Sequence, residues 1–205
     1  MLEHILGIRM EEHLPAGALG PFPVALDIRA YLVAYGAGLV LVDTGMDPSG
    51  SSIDAALKGG GADWSDVRQI VLTHGHLDHI GGLHHARSSA PSAVVRASPL
   101  EMIDGAQPLT DGAIIGSLRA FATPGHTPGH MSLYDEDRSI LLVGDYLGVI
   151  DGKLVRAPAR FTSDRAQTER SLRLLLELRG ARMLFAHGPE IDRPWDALDE
   201  LLMRG

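Results

Sequence analysis

The chain contains no cysteine. That single absence removes disulfides, thiolate metal ligands and a thiol nucleophile, so any metal must be held by nitrogen and oxygen. Long apolar runs are also missing. No stretch approaches the roughly 18 consecutive apolar residues that suggest a membrane span, and no membrane partner is expected. Basic residues are in deficit, with 18 Lys and Arg against 26 Asp and Glu and a net charge of −8. This argues against a basic face and against nucleic acid as a partner. The opening MLEHILGIRMEEH carries early acids and no basic leading region. It does not read as a signal peptide, and a cytoplasmic location is the expectation. Repeats, low-complexity tracts and linkers are lacking, so the 205 residues are expected to form one domain over 1–205.

What is present is a mixture of short strand and helix patterns. Residues 2–10 read as a first strand, and the Pro/Gly-rich segment 14–24 as a loop. Residues 29–35 and 39–43, separated by Gly36 and Gly38, read as a hairpin. Further strands are expected at 69–73, 93–96, 118–123, 130–134, 140–143 and 182–186, the fourth and fifth paired around the acidic turn Asp135-Glu136-Asp137. Helices are expected at 51–58, 83–88, 164–179 and 195–203. For the third, Asp164 is the N-cap, Gln167 completes a capping box and Gly180 is the stop. Several apolar runs end in a metal-capable side chain: Asp43, His74, Asp145 and His187. Ligands at the same ends of several strands converge on one sheet edge.

Ten histidines are the unusual component. The densest group is Thr73-His74-Gly75-His76-Leu77-Asp78-His79. In extended chain, residues two apart project to the same side, so His74 and His76 can meet one ion. A turn after them lets Asp78 and His79 swing toward a second, with Gly75 and Gly81-Gly82 relieving crowding. His126 stands between two Pro-Gly pairs in TPGHTPGH, a stiff turn. Asp145 follows an apolar strand and Gly144, and His187 follows another. Each of these last three is unremarkable alone. Together they complete a set: His74, His76 and His126 for one ion, Asp78, His79 and His187 for the other, and Asp145 bridging both. Two divalent ions about 3.5–4 Å apart can acidify a shared water, to a pKa of about 7 on zinc.

The order HxHxDH, GHTPGH, GD and HG, from Asp43 to Gly188, resembles the metallo-β-lactamase superfamily. The resemblance implies an α+β fold, the four-layer αββα sandwich with two mixed β-sheets face to face, helices on the outer faces and metals at one edge. Asp43-Thr44-Gly45 resembles the family's first motif, whose Asp supports the metals from behind. Asp145 separates the chain from true β-lactamases. GHTPGHMSL is most similar to the glyoxalase II, lactonase and related esterase group, which implies hydrolysis of an ester, thioester or lactone in a small-molecule substrate. Two divalent ions are implied, zinc foremost, with manganese, iron or cobalt as the other choices.

Two features depart from that group. With 18 residues after His187, the helical C-terminal domain with which glyoxalase II proteins bind glutathione is not expected. Gly148 stands where acyl-homoserine lactonases often place a Tyr, and the nearby tyrosine is Tyr146. In this reading a hydroxide shared by both ions attacks the carbonyl. Asp145 bridges the ions, and Asp78 orients the nucleophile or passes a proton to the leaving group. Tyr146 either donates to the oxyanion or packs at a strand end. Two other chemistries use a related residue set. A mononuclear iron persulfide dioxygenase would use His74 or His76 with His126 and Asp145. A metal-dependent nuclease would need an RNA-gripping arm, and no basic insertion supplies one. Segments 14–24, with Phe22, and 148–161 are candidate walls of an apolar substrate pocket. His130 is expected to bond loop backbone, and His4, His13, His84 and His85 to stand outside the site.

Overall fold

The computed structural model describes residues 4–17 and 21–204. The start of the expected first strand (1–3) and part of the expected loop (18–20) lie outside the described residues. The first sheet runs in the order β1 (Ile5–Leu14), β2 (Val24–Tyr35), β3 (Gly38–Val42), β4 (Val67–Val71), β5 (Val94–Ala97) and β6 (Gln107–Pro108). The β1, β2 and β3 strands pair antiparallel, and β3 to β6 pair in parallel, so the sheet is mixed. The second sheet contains β7 (Ile114–Ile115), β8 (Leu118–Ala122), β9 (Met131–Asp135) and β10 (Ile140–Leu142). After β10 comes a separate hairpin, β11 (Leu147–Ile150) with β12 (Lys153–Arg156). The second sheet is then closed by β13 (Arg182–Leu184), parallel to β10.

Strand periodicity explains how these sheets stack. Leu39 and Leu41 of β3 join a cluster with Ile53 and Leu57 of α1 (Ser51–Gly59). Val40 and Val42, one step out of phase, join Leu118, Leu133 and Leu142 of the second sheet. Likewise Leu141 of β10 faces a third cluster with Leu172, Trp195 and Leu198, away from Ile140 and Leu142. Because alternate side chains leave opposite faces, each central strand feeds two cores. Three apolar layers therefore separate four layers of structure, the expected αββα sandwich. Helix α2 (Leu77–Ile80) and α3 (Leu83–Ser89) follow β4, and α4 (Arg165–Leu174) and α5 (Pro194–Met203) cover the outer face of the second sheet.

Three expectations need correction. The first strand continues to Leu14, and β2 begins at Val24, so the loop is shorter than 14–24. The charged residues Glu11, Glu12 and His13 are tolerated because β1 is an edge strand with one face to solvent. The helix expected over 164–179 is α-helical only to Leu174 and then tightens into a 3-10 turn over Leu175–Leu178. Its capping box is half built. Asp164 Oδ1 accepts the Gln167 N–H at 2.8 Å, but the Gln167 side chain turns to Arg170. The Asp164 N–H goes instead to the Gly125 carbonyl at 2.9 Å, which ties the start of α4 to the loop carrying His126. Segment 148–161, expected as a wall of loop, is mostly the β11–β12 hairpin and a 3-10 turn over Ala159–Phe161. Among the described residues, no helix is long and apolar enough to cross a membrane.

Candidate metal centre

The proposed ligands lie beyond strand ends, or in the helical turn that follows one, at one edge of the sandwich. His74 follows β4, His76 precedes α2, and Asp78 and His79 lie in its single turn. His126 follows β8, Asp145 follows β10 and His187 follows β13. Ligand-capable atoms of His74, His76, His126 and Asp145 all lie within 4.8 Å of one another, as do those of Asp78, His79, Asp145 and His187. The structure thus brings together all seven sequence-derived candidates, in the expected division, with Asp145 shared.

Four buried polar atoms in these clusters have no hydrogen-bond partner: His74 Nε2, His79 Nε2, His126 Nδ1 and Asp145 Oδ1. His79 Nε2 and Asp145 Oδ1 stand 3.0 Å apart without hydrogen-bond alignment. Leaving buried donors and acceptors unpaired is costly, roughly 1–3 kcal/mol each, so convergent orphans suggest a missing partner. Imidazole nitrogens and carboxylate oxygens in this arrangement suit divalent cations such as zinc, manganese, iron or cobalt.

Charge divides the clusters. Burial holds His74 well below the ordinary histidine range, helped by the nearby His79. Burial likewise lowers His126 to about 4. Both are therefore neutral at pH 7, with lone pairs free for coordination. In the second cluster burial again opposes charge, but the carboxylates prevail. Asp145 and Asp43 raise His79 well above its usual value, and Asp145 with Asp78 pushes His187 up to about 10. Asp145 resists burial and stays ionised because His187 and His79 face it. Asp78 is also lowered, its burial outweighed by the His187 hydrogen bond and the charge of His79.

A ring of supporting groups aims the ligands. Asp43 occupies left-handed backbone, φ 60°, costly for a residue with a Cβ. There its carboxylate accepts the Thr73 N–H and hydroxyl, both at 2.8 Å, and meets His79 Nδ1 at 2.8 Å. This leaves His79 Nε2 directed at the cluster, as expected of Asp43. His187 Nδ1 donates to the Asp27 carbonyl at 2.8 Å, which points Nε2 at Asp145 and Asp78, 3.2 and 3.3 Å away. Gly82 lets the end of α2 lie against the Asp43-Thr44-Gly45 turn, since a Cβ there would meet the Thr44 carbonyl at 2.4 Å.

His130 is buried and does more than bond a loop. Its Nε2 accepts the Asp145 N–H at 3.0 Å, while its Nδ1 meets the Thr123 hydroxyl at 3.0 Å. Burial and the neighbouring His126 hold it down at about 3, so it stays a neutral acceptor. Tyr146 corrects the expectation of an oxyanion donor. Its ring is fully buried in the third core and its hydroxyl donates to the Pro124 carbonyl at 3.2 Å. It does not line the cavity beside the metal clusters. The alternation of β10 breaks at Gly144, φ 72°, so Tyr146 joins Leu141 and Val143 on the helix side and Asp145 is left at the site. His85 is outside the site, bonded to Asp54 at 3.0 Å, and His4, His13 and His84 are exposed.

Beside the clusters opens a cavity of about 570 Å³. Its walls are largely apolar, from Leu77, Val149, Ile150, Val155, Pro158 and Phe161. Leu14 and Val24 also line it, as ends of β1 and β2, whereas Phe22 is exposed and does not. Sequence patterning missed two contributors. The Asp27 carbonyl carries no side-chain signal. Glu101 bonds backbone at Gly75 and Gly129 from a turn distant in sequence.

The profile of the Metallo-beta-lactamase superfamily matches residues 24–109 and 107–187. The uncharacterised protein YobT of Bacillus subtilis is 27% identical, over 96% of this chain and 98% of its own. A beta-lactamase-like protein 2 homolog of Caenorhabditis elegans is 31% identical over 89% of this chain, which spans 63% of that protein. The probable metallo-hydrolase YflN of Bacillus subtilis is 28% identical over 73% of this chain and 75% of its own length. Among solved structures, the metallo-beta-lactamase family protein TTHA1429 of Thermus thermophilus superposes with a TM-score of 0.76 at 23% identity, over 99% of this chain and 79% of that one. TTHA1623 in a di-iron-bound form gives 0.67 at 27% identity, over 88% and 92%. With two ligand clusters gathered at one edge of an αββα sandwich and the family match running from residue 24 to 187, this chain belongs to the metallo-β-lactamase superfamily.

Proposed function

We propose that this protein is a metal-dependent hydrolase that cleaves an ester, thioester or lactone bond of a small molecule at a dinuclear centre. The carrying observation is the pair of clusters sharing Asp145, opening onto a largely apolar cavity. His74, His76, His126 and Asp145 would hold one ion, and Asp78, His79, Asp145 and His187 the other. When bound, such ions polarise a carbonyl and make water nucleophilic at neutral pH.

The chain's own residues supply the rest. Asp43 and the Asp27 carbonyl fix the rings of His79 and His187, so the ligand atoms need little rearrangement. Asp78 faces the cavity, with one oxygen 3.3 Å from His187 Nε2. It is placed to orient the attacking water or to hand a proton to the leaving group. Leu77, Val149, Val155 and Phe161 would grip an apolar acyl or ring portion and exclude bulk water.

Elemental analysis of protein purified without added metal, followed by a panel of esters, thioesters and lactones, tests this reading. Two equivalents of zinc or manganese, with hydrolysis lost on chelation and restored by the metal, are expected. Full hydrolysis by metal-stripped protein refutes the mechanism. One equivalent of iron with oxygen consumption would assign the dioxygenase chemistry instead. The complete seven-residue set favours two ions over that mononuclear site.

A further inference from the structure

One carboxylate outside the proposed ligand set joins the two loops that carry the three-histidine cluster. Glu101 ends a 3-10 turn, Pro99–Glu101, that follows β5 and is capped by Ser98, whose hydroxyl accepts the Leu100 N–H. From there Glu101 Oε2 accepts the Gly75 N–H at 2.7 Å. Its Oε1 accepts the Thr127 hydroxyl at 2.6 Å and the Gly129 N–H at 2.7 Å. Gly75 stands between His74 and His76, Thr127 follows His126, and Gly129 precedes His130, the acceptor of the Asp145 N–H. Gly129 permits the approach, because a Cβ there would sit 2.6 Å from Glu101 Oε1 and 2.7 Å from Ser98 Oγ.

All three bonds therefore fall next to ligands of the three-histidine cluster or to His130. None reaches Asp78, His79 or His187. The side chains that the clamp brings together are His76 and His126, whose ring nitrogens Nδ1 and Nε2 lie 3.0 Å apart. Hydrogen bonds to an ionised acceptor are short and about twice as strong as neutral ones, which suits a clamp on flexible loops. Ligand geometry must hold within about 0.5 Å for a metal site to bind tightly.

We propose that Glu101 is a positioning residue that sets the spacing between the His74–His76 pair and His126, and thereby tunes one of the two ion positions without touching the ion. The inference rests on the dinuclear reading of the site. Zinc titrated calorimetrically into the metal-free full chain, with a competing chelator, tests it. Wild-type protein is expected to show two affinity classes, and His126→Ala identifies the class belonging to the three-histidine cluster. Glu101→Gln keeps the volume but supplies one acceptor oxygen in place of two, setting a donor against a donor. It should weaken the His126-dependent class about 10–100-fold and leave the other within about twofold. Thr127→Val, which removes one bond and keeps Glu101, should weaken the same class by less, and it carries the test if the first variant does not fold.

Equal weakening of both classes would make Glu101 a general staple and overturn the proposal, as would no change in either. If wild-type protein takes up a single His126-dependent ion, the dinuclear reading fails while the clamp is still measured on that ion. A single ion indifferent to His126→Ala overturns both.

Discussion

Single residues in this site are poised between protons and cations. In the metal-free protein His187 is raised to about 10 and His79 lies well above its usual value. Both hold protons at pH 7 that an ion must displace. Apparent metal affinity of their cluster should therefore rise with pH, by about tenfold per unit for each displaced proton, seen as a buffer-dependent binding enthalpy. The metal-free fold should respond in the opposite sense. A histidine with a raised folded value contributes its stability in full below the unfolded value of 6.5 and loses it as pH climbs toward about 10. Thermal melts of stripped protein across that window should decline, and a flat profile would show that the carboxylates do not hold His187 charged. Asp43→Ala removes the acceptor behind His79 and should cost about 10–100-fold in metal affinity, read by chelator competition. Tyr146→Phe loses only a hydrogen bond to Pro124. Hydrolysis should stay within about twofold while stability falls by about 1 kcal/mol in denaturant melts. A hundredfold drop in kcat at unchanged stability would restore the tyrosine to catalysis.

Among elements, the β11–β12 hairpin and α4 carry functional consequences that their sequences only partly announce. The hairpin supplies Val149, Ile150 and Val155 to the cavity while Leu147 and Leu154 anchor it in the third core. Ile150 is 60% exposed, so Ile150→Glu should barely alter stability. It should raise KM for an ester with an apolar acyl chain and spare a short-chain one, measured by steady-state kinetics on both. The start of α4 fastens the His126 loop through two backbone bonds, Ser163 N–H to His126 and Asp164 N–H to Gly125, both 2.9 Å. Asp164→Ala should cost about 1 kcal/mol as a lost cap.

At the scale of the whole molecule, the ligands sit at the rim of cores that close without them. Three apolar clusters stack between and outside the sheets, while the proposed ligands lie beyond the ends of the strands that build them. His126→Ala and Asp145→Ala should accordingly lose metal and hydrolysis while retaining native far-UV dichroism. Saturating metal at about 100 times its Kd should raise stability by about 2.7 kcal/mol for each ion bound, or roughly 5–10 °C in Tm per ion for a protein of this size. Loss of secondary structure on chelation would mean instead that the ions are part of the fold.

The local sequence determined that ligands follow apolar strands, the stiff TPGHTPGH turn and a ligand set whose spacing is chemical in itself, because residue type and i, i+2 projection are properties of short segments. The order of motifs along the chain carried the family and its sandwich architecture. Tertiary structure alone decided three things. It turned Tyr146 into the core, since the face a strand-end residue takes depends on the sheet it joins. It made a wall out of β11 and β12: the Asp151-Gly152 turn signals their pairing, but the cavity that the hairpin faces is set by distant elements. It also set Glu101 against Gly75 and Gly129, because a backbone donor does not name its side-chain acceptor in the local sequence.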